Sequence, residues 1–456
     1  MISRLANPLR QRSTVALTVY ALIAVTFSVL AGIVSASGNL NAVATFSGVI
    51  VAAGMLLSRN ALLWFVVFGA LVVVGAAQLY FPEIRHVRYV LPLAGIGLIL
   101  HGLVDHLNTP RNPTKATGPR ILPWASAFVA VALISLLINF TTVGAAVTGI
   151  KIYFQMWPFL AGLVFVYWAN DMSRPIAKAL LFIAFLQLPF VLHQYFYLVP
   201  IRSSIGIAAS KLPVDIVAGT FGADLIKGGA NAALAAFLII VIACLAGIWK
   251  RGVLTTKATA SMSLLFMVPL LLNQAKVSAL YLLAAYAVLF YQEIARKPIR
   301  FIVASSAALG LFALLVTAMT LTHPREEISS WTDLIEYTIE RQQTSVEERE
   351  GHYSELTRWT ALTFWASEHL RANPIYTFLG HGPGASRVQD KGLDLAQTLA
   401  EEEYGGMHLG FTAASSILWD TGLLGMAMII GIFISAFRAA GWLSRFYEDS
   451  DPFRAG

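Results

Sequence analysis

Charge is scarce in this sequence. Only 12% of its 456 residues are Asp, Glu, Lys or Arg, against roughly 25% in ordinary soluble proteins. Cysteine is almost absent as well. The one thiol, Cys244, sits in an apolar run, so no intramolecular disulfide can form, and any part facing an oxidising compartment must be held by packing. No G-x-x-x-x-G-K-S/T nucleotide loop is present, which argues against a self-powered pump. No His/Cys pattern has zinc spacing, and no internal repeat or low-complexity stretch stands out. What fills the chain is apolar: 57% hydrophobic residues and a mean hydropathy of +0.68. Apolar runs of about 20 residues, each able to cross a ~30 Å hydrocarbon core, recur from Thr14 almost to the C-terminus. A soluble enzyme, a disordered scaffold and a secreted disulfide module are excluded. The formal charge of +7 is no sign of nucleic acid, because Lys and Arg in such a chain mainly set topology.

The hydropathy places about twelve spans at 14–36, 40–57, 61–80, 87–105, 121–140, 150–169, 176–199, 229–248, 259–274, 276–291, 300–321 and 413–437. The first resembles a signal peptide but is long for one and is followed by more spans, so it reads as uncleaved. An inside N-terminus collects Arg4, Arg10, Arg12 and Arg59, then Arg111, Lys115, Arg120, Arg174 and Lys178, then Lys250, Arg251, Lys257, Arg296, Lys297, Arg300, Arg438, Arg445 and Arg454 on the cytoplasmic side. Both termini are then cytoplasmic.

Residues 322–412 form one long outer segment between the eleven-span portion (1–321) and the last span with its tail (413–456). It holds fifteen of the 25 acidic side chains but seven of the 32 basic ones, a composition break that marks a separate unit. Trp331, Leu334, Ile335 and Ile339 fall at helical spacing, as do Trp359, Leu362, Ala366 and Leu370, which predicts amphipathic helices. Asn373-Pro374 is expected to end the second of them.

The chemistry-bearing residues concentrate on this outer side. Gly380-His381-Gly382-Pro383-Gly384 is either a plain turn or a tight loop whose N–H groups face phosphate or sugar oxygens. Lys276, after Asn273-Gln274-Ala275, either faces an anionic ligand or snorkels to water. Arg202, Lys211 and Lys227 surround Gly219-Thr220-Phe221-Gly222, with Asn231 opening the next span, and outer cations suit an anion. His408 follows Glu401-Glu402-Glu403, with Glu403 five residues before it. Either could take a proton from an attacking hydroxyl, and the bland alternatives are a surface histidine and a solvated acidic turn. His101 and Asp105 share a helix face and read as a structural pair. Asp449-Ser450-Asp451 has the form of a metal-binding D-x-D but lies in a short tail.

The order of these features resembles the O-antigen ligase and O-antigen polymerase superfamily over about residues 200–437. The features are the Gly219–Gly222 motif with Asn231, then Asn273-Gln274-Ala275-Lys276, Arg358-Trp359, Asn373-Pro374 with the Gly380–Gly384 loop, His408, and Asp420-Thr421-Gly422-Leu423-Leu424-Gly425. Where the family usually has Ser-Arg this chain has Ala275-Lys276, which keeps the cation but loses the bidentate fork. The resemblance implies an all-helical membrane glycosyltransferase of the C type with a large periplasmic loop, in the bacterial inner membrane. The implied donor is a glycan on undecaprenyl diphosphate, and the acceptor is a glycan or lipid A-core. It implies Lys276, Lys211, Lys227 and Arg358 at the diphosphate, and Gly380, His381, Gly382, Gly384 and Asn231 along the saccharide. His408 or Glu403 is then the base, with no cofactor or metal. Polymerisation of repeat units, with a chain-length regulator as possible partner, is the leading expectation. Ligation onto lipid A-core is second, and a lipid-linked saccharide flippase or exporter is the reading from another class.

Overall fold

The computed structural model describes residues 58–81, 88, 90–108, 120–139, 143–166, 168, 171–205, 213–226, 228–273, 275, 277–299, 348–349, 352–353, 356, 358–370, 374–388, 398–448 and 450–455, with isolated positions at 29, 302, 305, 306, 310 and 313. The expected first two spans, most of the eleventh, and the helix at Trp331–Ile339 lie outside these residues. The rest is mostly helical. In chain order come α1 (Arg59–Tyr80), α2 (Val90–Asn108), α3 (Leu122–Ile138), α4 (Val143–Phe154), α5 (Trp157–Phe165), α6 (Ser173–Ser204), α7 (Asn231–Lys250), α8 (Thr256–Asn273), α9 (Val277–Leu289) and α10 (Tyr291–Arg296). They are followed by α11 (Thr360–His369), α12 (Pro374–Leu379), α13 (Leu399–Glu402), α14 (Ala413–Phe446) and α15 (Pro452–Ala455). Helices α1, α6, α7 and α14 are each long and apolar enough to cross a membrane, and α4 with α5 adds a fifth if they form one broken span. This is a helical membrane protein, with a two-residue hairpin, β1 (Ala223–Asp224) on β2 (Gly228–Gly229), between α6 and α7.

The chain divides into two compact units. One comprises residues 1–69, 86–109 and 158–167, and the other comprises residues 70–85, 110–157 and 168–456. In the first, Asp105 pairs with Arg59 at 2.8 Å. Gly95 and Gly102 of α2 lie against the backbone of α5 so closely that a side chain would collide. Small residues allow such approaches between apolar helices.

In the second unit α14 packs along α3. Gly425 lies near Phe128, Gly431 lies against Trp124, and the Ser135 hydroxyl donates to the Asp420 carbonyl at 3.1 Å. The numbering rises on one helix as it falls on the other, so the pair is antiparallel. Ion pairs gather at one end of the unit: Arg454–Asp171 at 2.7 Å, Arg251–Glu448 at 2.6 Å, Lys250–Glu293 at 2.9 Å and Arg174–Asp451 at 3.5 Å. Hydrogen bonds from Arg454 and Ser173 hold Asp171 down to about 2. Exposed pairs of this kind stabilise little. Their value is positional, because the ends of α7, α10 and α14 and the start of α6 meet at one face. A helix rises about 1.5 Å per residue, so Asn231, at the other end of α7, stands some 30 Å away.

Three local expectations change. The sixth span begins at Val143 and breaks after Phe154, where Pro158 enters the first turn of α5 and suits a helix start rather than a continuous span. Helix α11 ends at His369, and Pro374 opens α12 instead of closing its predecessor. The buried face of α11 is Ala361, Trp365 and His369, whereas Trp359 and Leu370 are 63% and 61% exposed. Leu362 and Ala366 of the expected stripe do pack against the core, but the buried face extends round to His369, which an apolar count leaves out. The described part of the outer segment is not a body apart. Leu356, Ala361, Trp365, Ala400, Met407 and Leu409 share one core with Leu418 and Trp419 of α14.

Candidate functional site

Two polar clusters lie at the helix ends away from the ion pairs, and each joins motifs that are distant in sequence. In the first, the glycine loop docks on a break in α14. The break is Gly422, at φ +63° and ψ −164°, a conformation essentially reserved for glycine. A Cβ there would strike the backbone of Phe378 and Leu379, and one on Gly380 would strike that of Asp420 and Thr421. The two glycines let the chains touch backbone to backbone. Asp420, fully buried, then organises the loop. Its carboxylate accepts from Gly384 N–H at 2.9 Å, Ser386 N–H at 2.8 Å and the Tyr153 hydroxyl at 2.9 Å. Its carbonyl accepts from Gly382 N–H at 3.0 Å, and that of Trp419 accepts from His381 N–H at 2.8 Å. Asn139 donates to the Gly380 carbonyl at 2.9 Å. The amides of His381, Gly382 and Gly384 are thus taken by α14 and that of Gly380 by the Tyr376 carbonyl, so the loop is a moulded wall rather than an open anion nest.

Aromatic rings line this wall. Tyr376 stacks on His381 with centroids 4.3 Å apart, His369 stacks on Trp365, and Trp419 meets His369 edge-on at 4.5 Å. The two imidazoles touch through their Nε2 atoms at 2.9 Å. Burial pushes His381 down to about 4, with the neighbouring His369 adding to the effect. Burial also lowers His369, against the Trp365 carbonyl and the Glu368 charge. An unfolded histidine titrates near ~6.5. Between there and about 4 the unfolded chain therefore binds more protons than the folded one, and stability falls as pH falls. Melting temperatures of the purified protein should drop more steeply from pH 7 to 4.5 in wild type than in His381→Phe. Equal slopes would show that the ring titrates as if unburied.

The second cluster surrounds the Gly219–Gly222 motif. Gln187 and Gln194, two turns apart on α6, clamp it. Gln194 Oε1 accepts from Ala218 N–H at 3.0 Å and Gly219 N–H at 2.7 Å, while Gln187 Oε1 accepts from Thr220 N–H at 2.9 Å. The Thr220 hydroxyl donates to the Leu71 carbonyl at 2.6 Å. Asn231 and Asn273 join the ends of α7 and α8: the Asn273 amide donates to the Asn231 carbonyl at 2.8 Å. The Asn231 amide, oriented to satisfy both its atoms, donates to the carbonyls of Asp215 at 2.7 Å and Gly229 at 3.1 Å. Beside the hairpin sits Arg202, only 2% exposed, and neither terminal nitrogen of its guanidinium has a hydrogen-bond partner among the described residues. A buried charge without hydrogen bonds is costly, and Asp215, which borders Gly228 together with Arg202, is the acidic residue nearby.

The sequence candidates fare unequally. Asn231 lies in the second cluster, and Gly380, His381, Gly382 and Gly384 lie in the first. Lys211, Lys227 and Lys276 fall outside the described residues, though Gly228 and Ala275 beside two of them border the second cluster. Arg358, Glu403 and His408 are exposed. His408 makes no hydrogen bond to a described residue, while Leu409 beside it is buried in the shared core. Arg202 is visible in the sequence as an outer cation without an assigned role, while Tyr153, His369 and Arg387 are not singled out by spacing or motif. Arg387 donates to the Ser416 hydroxyl at 3.1 Å, and its Nε is buried without a partner. Only Arg202 carried a signal, as a cation on the side where the inside-positive bias should remove it.

No family model, curated protein or solved structure matches the chain.

Proposed function

We propose that the protein is an inner-membrane glycosyltransferase that polymerises undecaprenyl-diphosphate-linked repeat units into O-antigen, capsule or exopolysaccharide. The reaction takes place at the periplasmic face, in a bundle of about twelve spans of the C type. The observation that carries this reading is the pairing of the motifs. Asp420 and Gly422 close on Gly380–Gly384, and Asn231 closes on Asn273, the residue that opens the Lys276 motif. A resemblance made of separate short matches gains weight when the matches assemble.

The chemistry follows from the parts. The leaving group is a lipid diphosphate, and fixed cations placed where its charge develops lower the barrier. The Arg202 guanidinium, whose terminal nitrogens have no hydrogen-bond partner among the described residues, is assigned to one phosphate, and Lys276, Lys211 and Lys227, outside the described residues, are the further cations of this reading. The moulded loop at Gly380–Ser386 and the aromatic rings behind it form the saccharide side. The energy comes from the donor bond, so no nucleotide enters.

The test uses protein reconstituted in proteoliposomes with undecaprenyl-diphosphate-linked repeat unit as the only glycan. A ladder of lengthening lipid-linked products is expected. Product formed only after lipid A-core is added would replace the polymerase with the ligase. Translocation of the donor without any product would replace both with an exporter.

A further inference from the structure

We infer that His381, through Nδ1, accepts the proton of the attacking hydroxyl, and that His369 is a positioning residue that fixes its tautomer. The inference rests on the transferase reading and assigns the base within it.

The tautomers follow from the hydrogen bonds. His369 Nδ1 lies 3.0 Å from the Trp365 carbonyl. A carbonyl only accepts, so this nitrogen carries a proton. In a neutral ring His369 Nε2 is then an acceptor. His381 Nε2, 2.9 Å away, must supply the hydrogen between them. The one remaining nitrogen of the pair, His381 Nδ1, is left with its lone pair. Burial keeps both rings neutral at pH 7, so this arrangement is the resting one.

The position of His381 is equally determined. Its backbone N–H is held by the Trp419 carbonyl, its ring is clamped by Tyr376, and it sits between two glycines with positive φ, Gly380 and Gly382. As a residue His381 is partly exposed, whereas His369 is 4% exposed. The more accessible histidine is therefore assigned as the base and the buried one as the residue that orients it, the usual arrangement of such a pair. His408 is exposed and has no such support.

In the step itself the acceptor oxygen forms its bond to the anomeric carbon as the bond from that carbon to the diphosphate oxygen breaks. The electron pair leaves on the diphosphate, and the hydroxyl proton goes to His381 Nδ1. The resulting imidazolium keeps its Nε2–H bond to His369 and returns its proton to water.

Two measurements test this. In nanodisc-embedded protein with ¹⁵N-labelled histidine, His381, identified by its loss in His381→Gln, should show an unprotonated Nδ1 and a protonated Nε2. His369 should show the reverse. In the reconstituted assay, His381→Gln should lower kcat by about 10²–10⁴-fold with the donor KM little changed. His369→Phe should lower kcat with the same KM signature. His369→Gln, whose Oε1 can still accept from His381, should recover part of it. Wild-type kcat in His381→Gln, the opposite tautomer, or a large loss confined to His408→Ala would overturn the assignment while leaving the transferase intact. A wild-type protein that consumes no donor would overturn both.

Discussion

Replacing Arg202 with methionine is expected to stabilise the empty protein while weakening its hold on a lipid diphosphate. The guanidinium is 2% exposed with both terminal nitrogens unpartnered. It carries a desolvation cost in the empty state that an apolar side chain of similar length does not. Exchanging buried ionic groups for apolar ones often stabilises by about 1–4 kcal/mol, and an uncompensated charge belongs at the favourable end. With donor bound the sign reverses. Two charge-assisted hydrogen bonds to a phosphate, each worth about 1.5–3 kcal/mol, correspond to a loss of at least about 100-fold in affinity. Thermal melting of the ligand-free protein and titration with undecaprenyl diphosphate measure the two effects separately. A fall in melting temperature with unchanged affinity would mean that Arg202 serves packing alone.

Asp420→Asn should release the glycine loop. Three donors converge on the carboxylate, from Gly384, Ser386 and Tyr153. An amide offers one acceptor oxygen and turns an NH₂ group toward at least one of those donors. Each buried donor left unpaired costs about 1–3 kcal/mol, and bonds to an ionised acceptor exceed neutral ones. A total of about 3–5 kcal/mol is a large share of typical stability. Because the loop closes onto the break at Gly422, the loss should appear as local opening. Limited proteolysis should cut first within 380–390, with α14 still helical. Tyr153→Phe removes one donor and one bond together, so its effect should be smaller. Wild-type protease resistance in Asp420→Asn would contradict the anchoring role.

The sequence was most legible where hydropathy speaks. Helices α6, α7, α8 and α14 lie close to their expected spans, and the clustering of basic loops anticipated that α6, α7 and α14 would bring ionic residues to one face. Glycine also spoke clearly, since the Gly380–Gly384 motif, expected as a turn or tight loop, is one, with Gly380, Gly382 and Gly384 all at positive φ. Partnership was illegible. Nothing in the spacing told that the loop amides would be spent on Asp420, or that Gln187 and Gln194 would hold the Gly219 turn. Those pairings depend on how α14 and α6 approach segments tens of residues away. The buried stripe of α11 was legible only in part for a related reason: Leu362 and Ala366 pack on the core as expected, whereas His369 counts as polar in any apolar pattern, yet its ring stacks on Trp365 and meets Trp419 edge-on. Arg202 marks the opposite case, a charge visible in sequence whose meaning came only from its burial.

Cryo-electron microscopy of the protein in nanodiscs with undecaprenyl diphosphate tests directly whether this arrangement receives a lipid diphosphate. Phosphate oxygens are expected at about 2.7–2.9 Å from the Arg202 guanidinium, close to the junction of Asn231 and Asn273. Lipid diphosphate bound elsewhere, with Arg202 still unpartnered, would contradict this.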